Sequence, residues 1–299
     1  MLKKERALLI VNPFAGQRKA KSNLFTVIEI LSSKYMLTVH LTESADDAFS
    51  TTRELHSEFK TIFCCGGDGT LSQVVNGCAD PNDPPTIGYI PCGTANDVAT
   101  TLRLPKNMAT CARKIINAEA NPHDVGVFCG DRKLVYVASF GAFTRSSYDT
   151  PQAAKNAFGQ SAYVLSGAMD LMNIKKIPTE IICDGRKFSF EDVAFLSVCN
   201  TKSTGGIVKF PDTKVALNDG RFELLVVRYP TNINMLNDIF AAVSMQIFDS
   251  NSENVMLMHG SHFEIKTREN IAWTLDGESA GEHTNVTIDC IRSGVKILY

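Results

Sequence analysis

Thr61-Ile-Phe-Cys-Cys-Gly-Gly-Asp-Gly-Thr-Leu-Ser-Gln73 decides how the rest of the chain is read. The apolar run Thr61–Cys65 shows no alternation, the pattern of a strand buried on both faces in a parallel sheet. Leu71–Cys78 then carries a helical pattern. Between them, Gly66-Gly67-Asp68-Gly69-Thr70 lets the backbone turn sharply and approach a ligand closely. A helix beginning near Leu71 offers free N–H groups and the positive end of its dipole, which suit a phosphate. Asp68 would repel a bare phosphate, so it fits if Mg2+ mediates or if the carboxylate orders the loop. An ordinary glycine turn is the plainer alternative, for which a single Gly-x-Gly is enough. The chain contains no Gly-x-x-x-x-Gly-Lys-[Ser/Thr], so this is not a Walker P-loop.

On either side of this stretch, strands at Ala7–Val11, Leu37–Leu41 and Thr86–Ile90 alternate with helices. The helices fall at Lys21–Ser33, Ala45–Phe59, Ala95–Arg103 and Asn107–Ala118, with Pro105 separating the last two. The alternation predicts a doubly wound parallel α/β sheet. Loops at the carboxyl ends of such strands meet at one crevice. Asn12-Pro13-Phe14-Ala15-Gly16 and Pro91-Cys92-Gly93-Thr94-Ala95-Asn96-Asp97 should therefore join the Gly66–Thr70 loop around a nucleotide. Beyond about residue 122 the pattern changes. Strands are predicted at Asp124–Cys129, Lys133–Gly141, Thr179–Cys183, Lys187–Phe190, Asp192–Cys199, Phe222–Arg228, Ser261–Lys266 and Ile271–Leu275, interrupted by helices at Gln152–Asn173 and Ile233–Phe248. This reads as a mainly antiparallel β domain, a sandwich, joined near Asn121-Pro122. A cleft between two such domains is a usual place for a small-molecule site.

Composition narrows the function classes. The 299 residues allow one or two domains, and 44% hydrophobic with 21% charged residues excludes a disordered chain. Thirty basic against 32 acidic residues give a net charge of −2, which disfavours nucleic acid as a partner. The nine cysteines are odd in number, never spaced Cys-x-x-Cys, and mostly inside apolar runs, so they read as core thiols of a reducing cytoplasm and not as a zinc site. Ala7–Val11 is too short for a secretory signal, and no apolar run approaches the ~20 residues of a membrane span. The expected location is cytoplasmic. The six histidines show no ligand spacing and read as structural. Lys175-Lys176 reads as compensation at a helix end, or, with Arg145 and Lys155, as a small basic face toward anionic lipid.

Taken together, Asn12-Pro13-x-x-Gly16, Gly66-Gly67-Asp68-Gly69-Thr70 and Pro91-x-Gly93-Thr94-x-Asn96-Asp97 resemble, in order and spacing, the bacterial diacylglycerol kinase family of lipid kinases, which includes relatives of sphingosine and ceramide kinases. The resemblance continues through Ser139-Phe140-Gly141, Tyr163, Asn218-Asp219-Gly220 and Leu275-Asp276-Gly277-Glu278. It implies a nucleotide-binding α/β domain from residues 1–122 plus about 280–299, and a β-rich lipid-substrate domain from 123–279. It also implies that Asn12, Thr42, Gly66, Gly67, Asp68, Gly69, Thr70, Leu71, Ser72, Gln73 and Thr94 contact ATP. Glu278, with Asp276 beside it, would accept the proton of the lipid hydroxyl. Asp219 and the carbonyls of Ala216 and Arg221 would hold Mg2+, linked through water toward Asp68, Asp97 and Asp124. The implied reaction converts diacylglycerol to phosphatidic acid, by a peripheral enzyme at the inner membrane face and as a homodimer. One departure stands out: the family continues Gly-Thr-x-Asn-Glu, whereas this chain has Gly69-Thr70-Leu71-Ser72-Gln73. Read without the resemblance, Asp276-Gly277 and Asp219-Gly220 fit plain turns equally well. An NAD kinase-like enzyme and a catalytically inactive lipid-binding regulator are the alternatives, and the Asn96-Asp97 loop argues against the first.

Overall fold

A computed structural model describes residues 4–142, 175–204, 208–210, 215–246 and 253–299. The first apolar runs form strands β1 (Glu5–Val11), β2 (Tyr35–Leu41), β3 (Thr61–Gly66) and β4 (Thr86–Pro91), all parallel in the order β4-β3-β1-β2. Helices α1 (Ala15–Ser32), α2 (Asp47–Leu55), α3 (Asp68–Cys78), α4 (Asp97–Thr101) and α5 (Met108–Ile115) alternate with them. Every residue of β3 is buried, as unbroken hydrophobicity requires of a strand covered on both faces. Two helices begin earlier than periodicity indicates. α1 starts at Ala15 because Asn12 folds back, its Oδ1 accepting the Phe14 N–H at 3.0 Å. α3 starts at Asp68, the Leu71 N–H reaching the Gly67 carbonyl at 3.1 Å, so Gly69 and Thr70 belong to a helical turn and not to a loop.

The remainder contains β5 (Ala120–Phe128), β6 (Arg132–Leu134), β7 (Val137–Gly141), β8 (Ile177–Cys183), β9 (Arg186–Cys199), the two-residue pair β10 (Ser203–Thr204) and β11 (Val208–Lys209), β12 (Phe222–Arg228), helix α6 (Ile233–Met245), β13 (Val255–Gly260), β14 (His262–Leu275) and β15 (Glu278–Leu298). The strand path is β13-β12-β9-β7-β14-β15-β4-β3-β1-β2, with β5 on β15 and β8 on β14 and β9. Pairing is antiparallel throughout the second half, and β15 joins the halves. Its Glu278–Asp289 portion pairs with β14, and Lys296–Ile297 runs parallel to Thr86–Ile87 of β4.

Strand boundaries differ from the sequence pattern for identifiable reasons. Lys133–Gly141 is not one strand but β6 and β7, since the N–H groups of Val135, Tyr136 and Val137 turn to the Asp276 carboxylate. Lys187–Phe190 and Asp192–Cys199 fuse into β9, while Ser261–Lys266 and Ile271–Leu275 fuse into β14 through a register shift after Lys266. β13, paired with β12, has no counterpart in the reading above. The Gln152–Asn173 helix, Tyr163, Arg145 and Lys155 lie outside the described residues. Lys175 pairs with Glu269 at 3.1 Å, and the Lys176 ammonium lies 5.1 Å from the centre of the Tyr229 ring. Beneath the β14–β15 hairpin, Trp273 meets Phe140 and Phe128 edge-on, with ring centres 4.9 and 5.5 Å away. Such pairs contribute about 0.5–1.5 kcal/mol each beyond burial, so the arm carrying the Asp276-Gly277 turn has a rigid base.

Candidate active site

A cavity of about 1170 Å³ opens between the carboxyl ends of the parallel strands and the tip of the β14–β15 hairpin. The three loops meet on its floor. Gly93 approaches Gly67 so closely that a Cβ on Gly93 would lie 2.6 Å from the Gly67 Cα, which leaves only glycine there. The Asn12 amide donates to Thr70 Oγ1 at 3.2 Å, tying the first loop to the second. Asn12, Gly67, Gly69, Thr70, Ser72, Gln73 and Thr94 line this wall. Gly69 and Thr70 sit in the first turn of an 11-residue helix, where N–H groups lack helical partners and the dipole end is positive.

Four other residues of the expected nucleotide set are buried behind the wall. Thr42 donates its N–H to the Val11 carbonyl, and Gly66 and Leu71 are core. Asp68 accepts the N–H groups of Asp97 (2.9 Å) and Val98 (3.4 Å) and the Tyr89 hydroxyl (3.3 Å), which ties α3 to the start of α4. Burial pushes its carboxyl pKa up, against those donors. Asp68 therefore orders the loop, the second of the two roles its position allows. The Gln73 amide donates to the Ala45 carbonyl and holds the β2–α2 connection over the cavity.

The opposite wall is the hairpin tip. Asp276 (φ +49°) and Gly277 (φ +84°) form a two-residue turn with Leu275 paired to Glu278, the backbone that a tight hairpin requires. The Asp276 side chain is buried and fully engaged: Oδ1 accepts from Tyr136 (3.0 Å) and Val137 (3.1 Å), Oδ2 from Val135 and the Ser72 hydroxyl (both 2.8 Å). Burial raises its pKa while these donors pull it back. Asp276 is thus both a turn residue and the bolt between hairpin and α3. Glu278 is exposed and faces the first turn of α3, since a Cβ on Gly69 would lie 3.1 Å from its Oε1. The structure brings the hairpin tip and the first turn of α3 to the same cavity.

Other residues on the cavity wall were not singled out from the sequence. Asn76 exchanges hydrogen bonds with the backbone of Lys133, each 2.7 Å, and the Arg132 guanidinium donates to the Ser279 carbonyl at 3.2 Å. Phe49, Arg53 and His56 line the far side. The signal for Asn76 lay in α3 itself: Gly69, Ser72, Gln73, Asn76 and Gly77 recur at helical spacing as a small or polar face.

Ala216, Asp219 and Arg221 lie away from the cavity wall, exposed in the loop before β12. Asp219 Oδ1 accepts the Arg221 N–H at 2.9 Å, while the buried Asp124 carboxylate accepts those of Gly220 (2.6 Å) and Ser293 (2.7 Å). Burial, helped by the nearby Asp219 charge, raises the Asp124 pKa against the pull of those two donors. Among the described residues no three ligating side chains converge, so an ion here would take a carboxylate, main-chain carbonyls and water. That all-oxygen set, beside two carboxylates in mutual repulsion, fits Mg2+.

Comparisons with known proteins agree with this geometry. Residues 6–128 match the diacylglycerol kinase catalytic domain, and residues 138–298 match the YegS C-terminal NAD kinase β-sandwich-like domain. A diacylglycerol kinase from Bacillus subtilis (strain 168) is 33% identical over 93% of this chain and 91% of its own length. One from Staphylococcus aureus is 30% identical over 93% and 88%. A solved diacylglycerol kinase structure from Bacillus anthracis str. Sterne superposes with a TM-score of 0.78 at 26% identity, covering 100% of this chain and 98% of that one. With both lobes matched along nearly their full length, this chain belongs to the diacylglycerol kinase family of lipid kinases.

Proposed function

We propose that this chain transfers the γ-phosphoryl group of ATP to the hydroxyl of diacylglycerol, giving phosphatidic acid, at a membrane surface. The observation that carries the reading is the exposed Glu278 carboxylate set against Gly69 in the first turn of α3. The turn's N–H groups, with Thr70, Thr94 and Asn12, bind the phosphates, and Arg132 and Lys133 add positive charge from the facing wall. Glu278 takes the hydroxyl proton as the lipid oxygen bonds to phosphorus and the bond to the departing ADP oxygen breaks. A loose transition state asks little more than this placement and neutralisation. Asp276 holds Glu278 in place without touching the reactants. Mg2+, held by Asp219 with the carbonyls of Ala216 and Arg221, would supply charge that steadies the Asp124 loops. The lipid is met from the membrane surface; among the described residues no helix is long and apolar enough to cross a membrane.

The test is phosphate transfer from labelled ATP to diacylglycerol, phosphatidylglycerol, ceramide or a sphingoid base in mixed micelles, with NAD as a control. Labelled phosphatidic acid as the main product is expected. Labelling of NAD alone, or of no acceptor by protein that binds ATP, would overturn the reading.

A further inference from the structure

Cys65, near the end of β3, and Cys92, just after β4, place their sulfur atoms 4.0 Å apart. Both are buried and free. All three phosphate-side loops converge on them. The Cys65 carbonyl accepts the Asn12 N–H at 2.9 Å, and the Cys92 N–H donates to the Gly66 carbonyl at 2.8 Å. Gly16, at φ +56°, presses on the Cys92 carbonyl so tightly that a Cβ would lie 1.7 Å from the oxygen. Gly93, the next residue, packs on Gly67 and lines the cavity.

We propose that Cys65 and Cys92 are a reversible redox pair, oxidised by a peroxide to a disulfide that loosens the nucleotide site. The effect on nucleotide rests on the function proposed above; the thiol chemistry does not. A disulfide needs the sulfurs about 2.05 Å apart, so the pair must close by roughly 2 Å. Gly16 and Gly67 already touch this segment by main-chain atoms, so that movement is passed to the loops. Cys92 is the less enclosed of the two, 4% exposed against 0% for Cys65, and the hydrogen bond shared with Cys65 lowers its thiol pKa against the effect of burial, which makes Cys92 the attacking sulfur. Its thiolate bonds to one peroxide oxygen, the O–O bond breaks, and the departing hydroxide takes up a proton. Cys65 then attacks the resulting sulfenic sulfur, the S–O bond breaks and water leaves. Two thiols and one hydrogen peroxide become one disulfide and two waters, and dithiothreitol reverses the change by exchange.

The experiment uses the full chain with the exposed thiol removed by Cys129→Ser. Peptide mapping by mass spectrometry after hydrogen peroxide should show Cys65 linked to Cys92, forming more slowly with ATP present. ATP affinity, read by calorimetry, should weaken roughly tenfold, as for loss of one charge-assisted hydrogen bond, and recover with dithiothreitol. In Cys65→Ala the ratio of affinities before and after peroxide should fall to about one, whatever the starting affinity. The proposal is overturned if the folded protein forms no such link, if linked protein binds ATP as before, or if dithiothreitol does not restore binding. Should untreated protein fail to bind ATP, the nucleotide reading falls with the regulatory half, while the mapping still judges the thiol pair.

Discussion

The cavity has two walls built on different terms. The parallel-sheet wall offers main-chain N–H groups and small side chains, held by contacts between residues that glycine alone permits, such as Gly93 against Gly67. The hairpin wall offers one exposed carboxylate, Glu278, on a turn held by a second, Asp276, whose four hydrogen bonds are all internal. On the function proposed above, binding is spread over a backbone and chemistry is concentrated in a side chain. Damage to the first wall should appear as lost affinity; damage to the second as lost turnover.

Glu278→Gln tests that division hardest. Turnover should fall about 10²–10⁴-fold, the usual scale for removing a general base, while ATP affinity changes less than about threefold. A steady-state assay paired with calorimetry reads both, and a parallel fall in the two would erase the distinction between the walls. Gly93→Ala should do the reverse. Its Cβ would press on the Gly67 Cα at 2.6 Å, so ATP affinity should drop tenfold or more, with about 1–3 kcal/mol of stability lost in denaturant titration. Asp276→Asn sets an amide among donors that want an acceptor. Unfolding free energy should fall by about 1–3 kcal/mol, with turnover following as the hairpin tip loosens.

Two smaller effects sharpen the picture. Burial holds His123 neutral, taking its pKa from 6.5 down to about 4. The unfolded chain takes up that proton first, so this contribution is complete above pH 6.5 and is lost as pH falls toward 4. Melting temperature against pH should therefore show a flatter acid limb in His123→Gln, with no change in the crevice. Gln73→Glu should have the least effect. A carboxylate cannot donate to the Ala45 carbonyl, so the β2–α2 connection is released and ATP affinity falls by less than about fivefold. A gain in affinity would mean that the amide is a handicap the cavity tolerates.

The sheet wall was legible in the sequence because its determinants are local. Unbroken apolar runs, glycines at strand ends and a helix following each are all read within a dozen residues, and the three loops do meet. The start of α3 was less legible, since Asp68-Gly69-Thr70 has poor helix propensity and is held by Asp68 bonding forward to α4. The hairpin wall was barely legible from the residues alone. Asp276-Gly277 does make the tight turn its composition indicates, but nothing nearby shows that its carboxylate binds Val135–Val137, some 140 positions earlier. That same long-range bond split the expected Lys133–Gly141 strand. The Asn76 face of α3 was present in the pattern, as polar spacing on a helix whose other side is core.

The shared strand β15 has a consequence for how the protein is made. β4 gains its neighbour only when Lys296 and Ile297 arrive, about 200 residues after β4 itself is synthesised. At ribosomal speeds of 5–20 residues per second, that leaves a sheet edge uncovered for roughly 10–40 s. During that interval the newborn first lobe is a candidate client for chaperones, and a stalled ribosome would release a chain primed to aggregate.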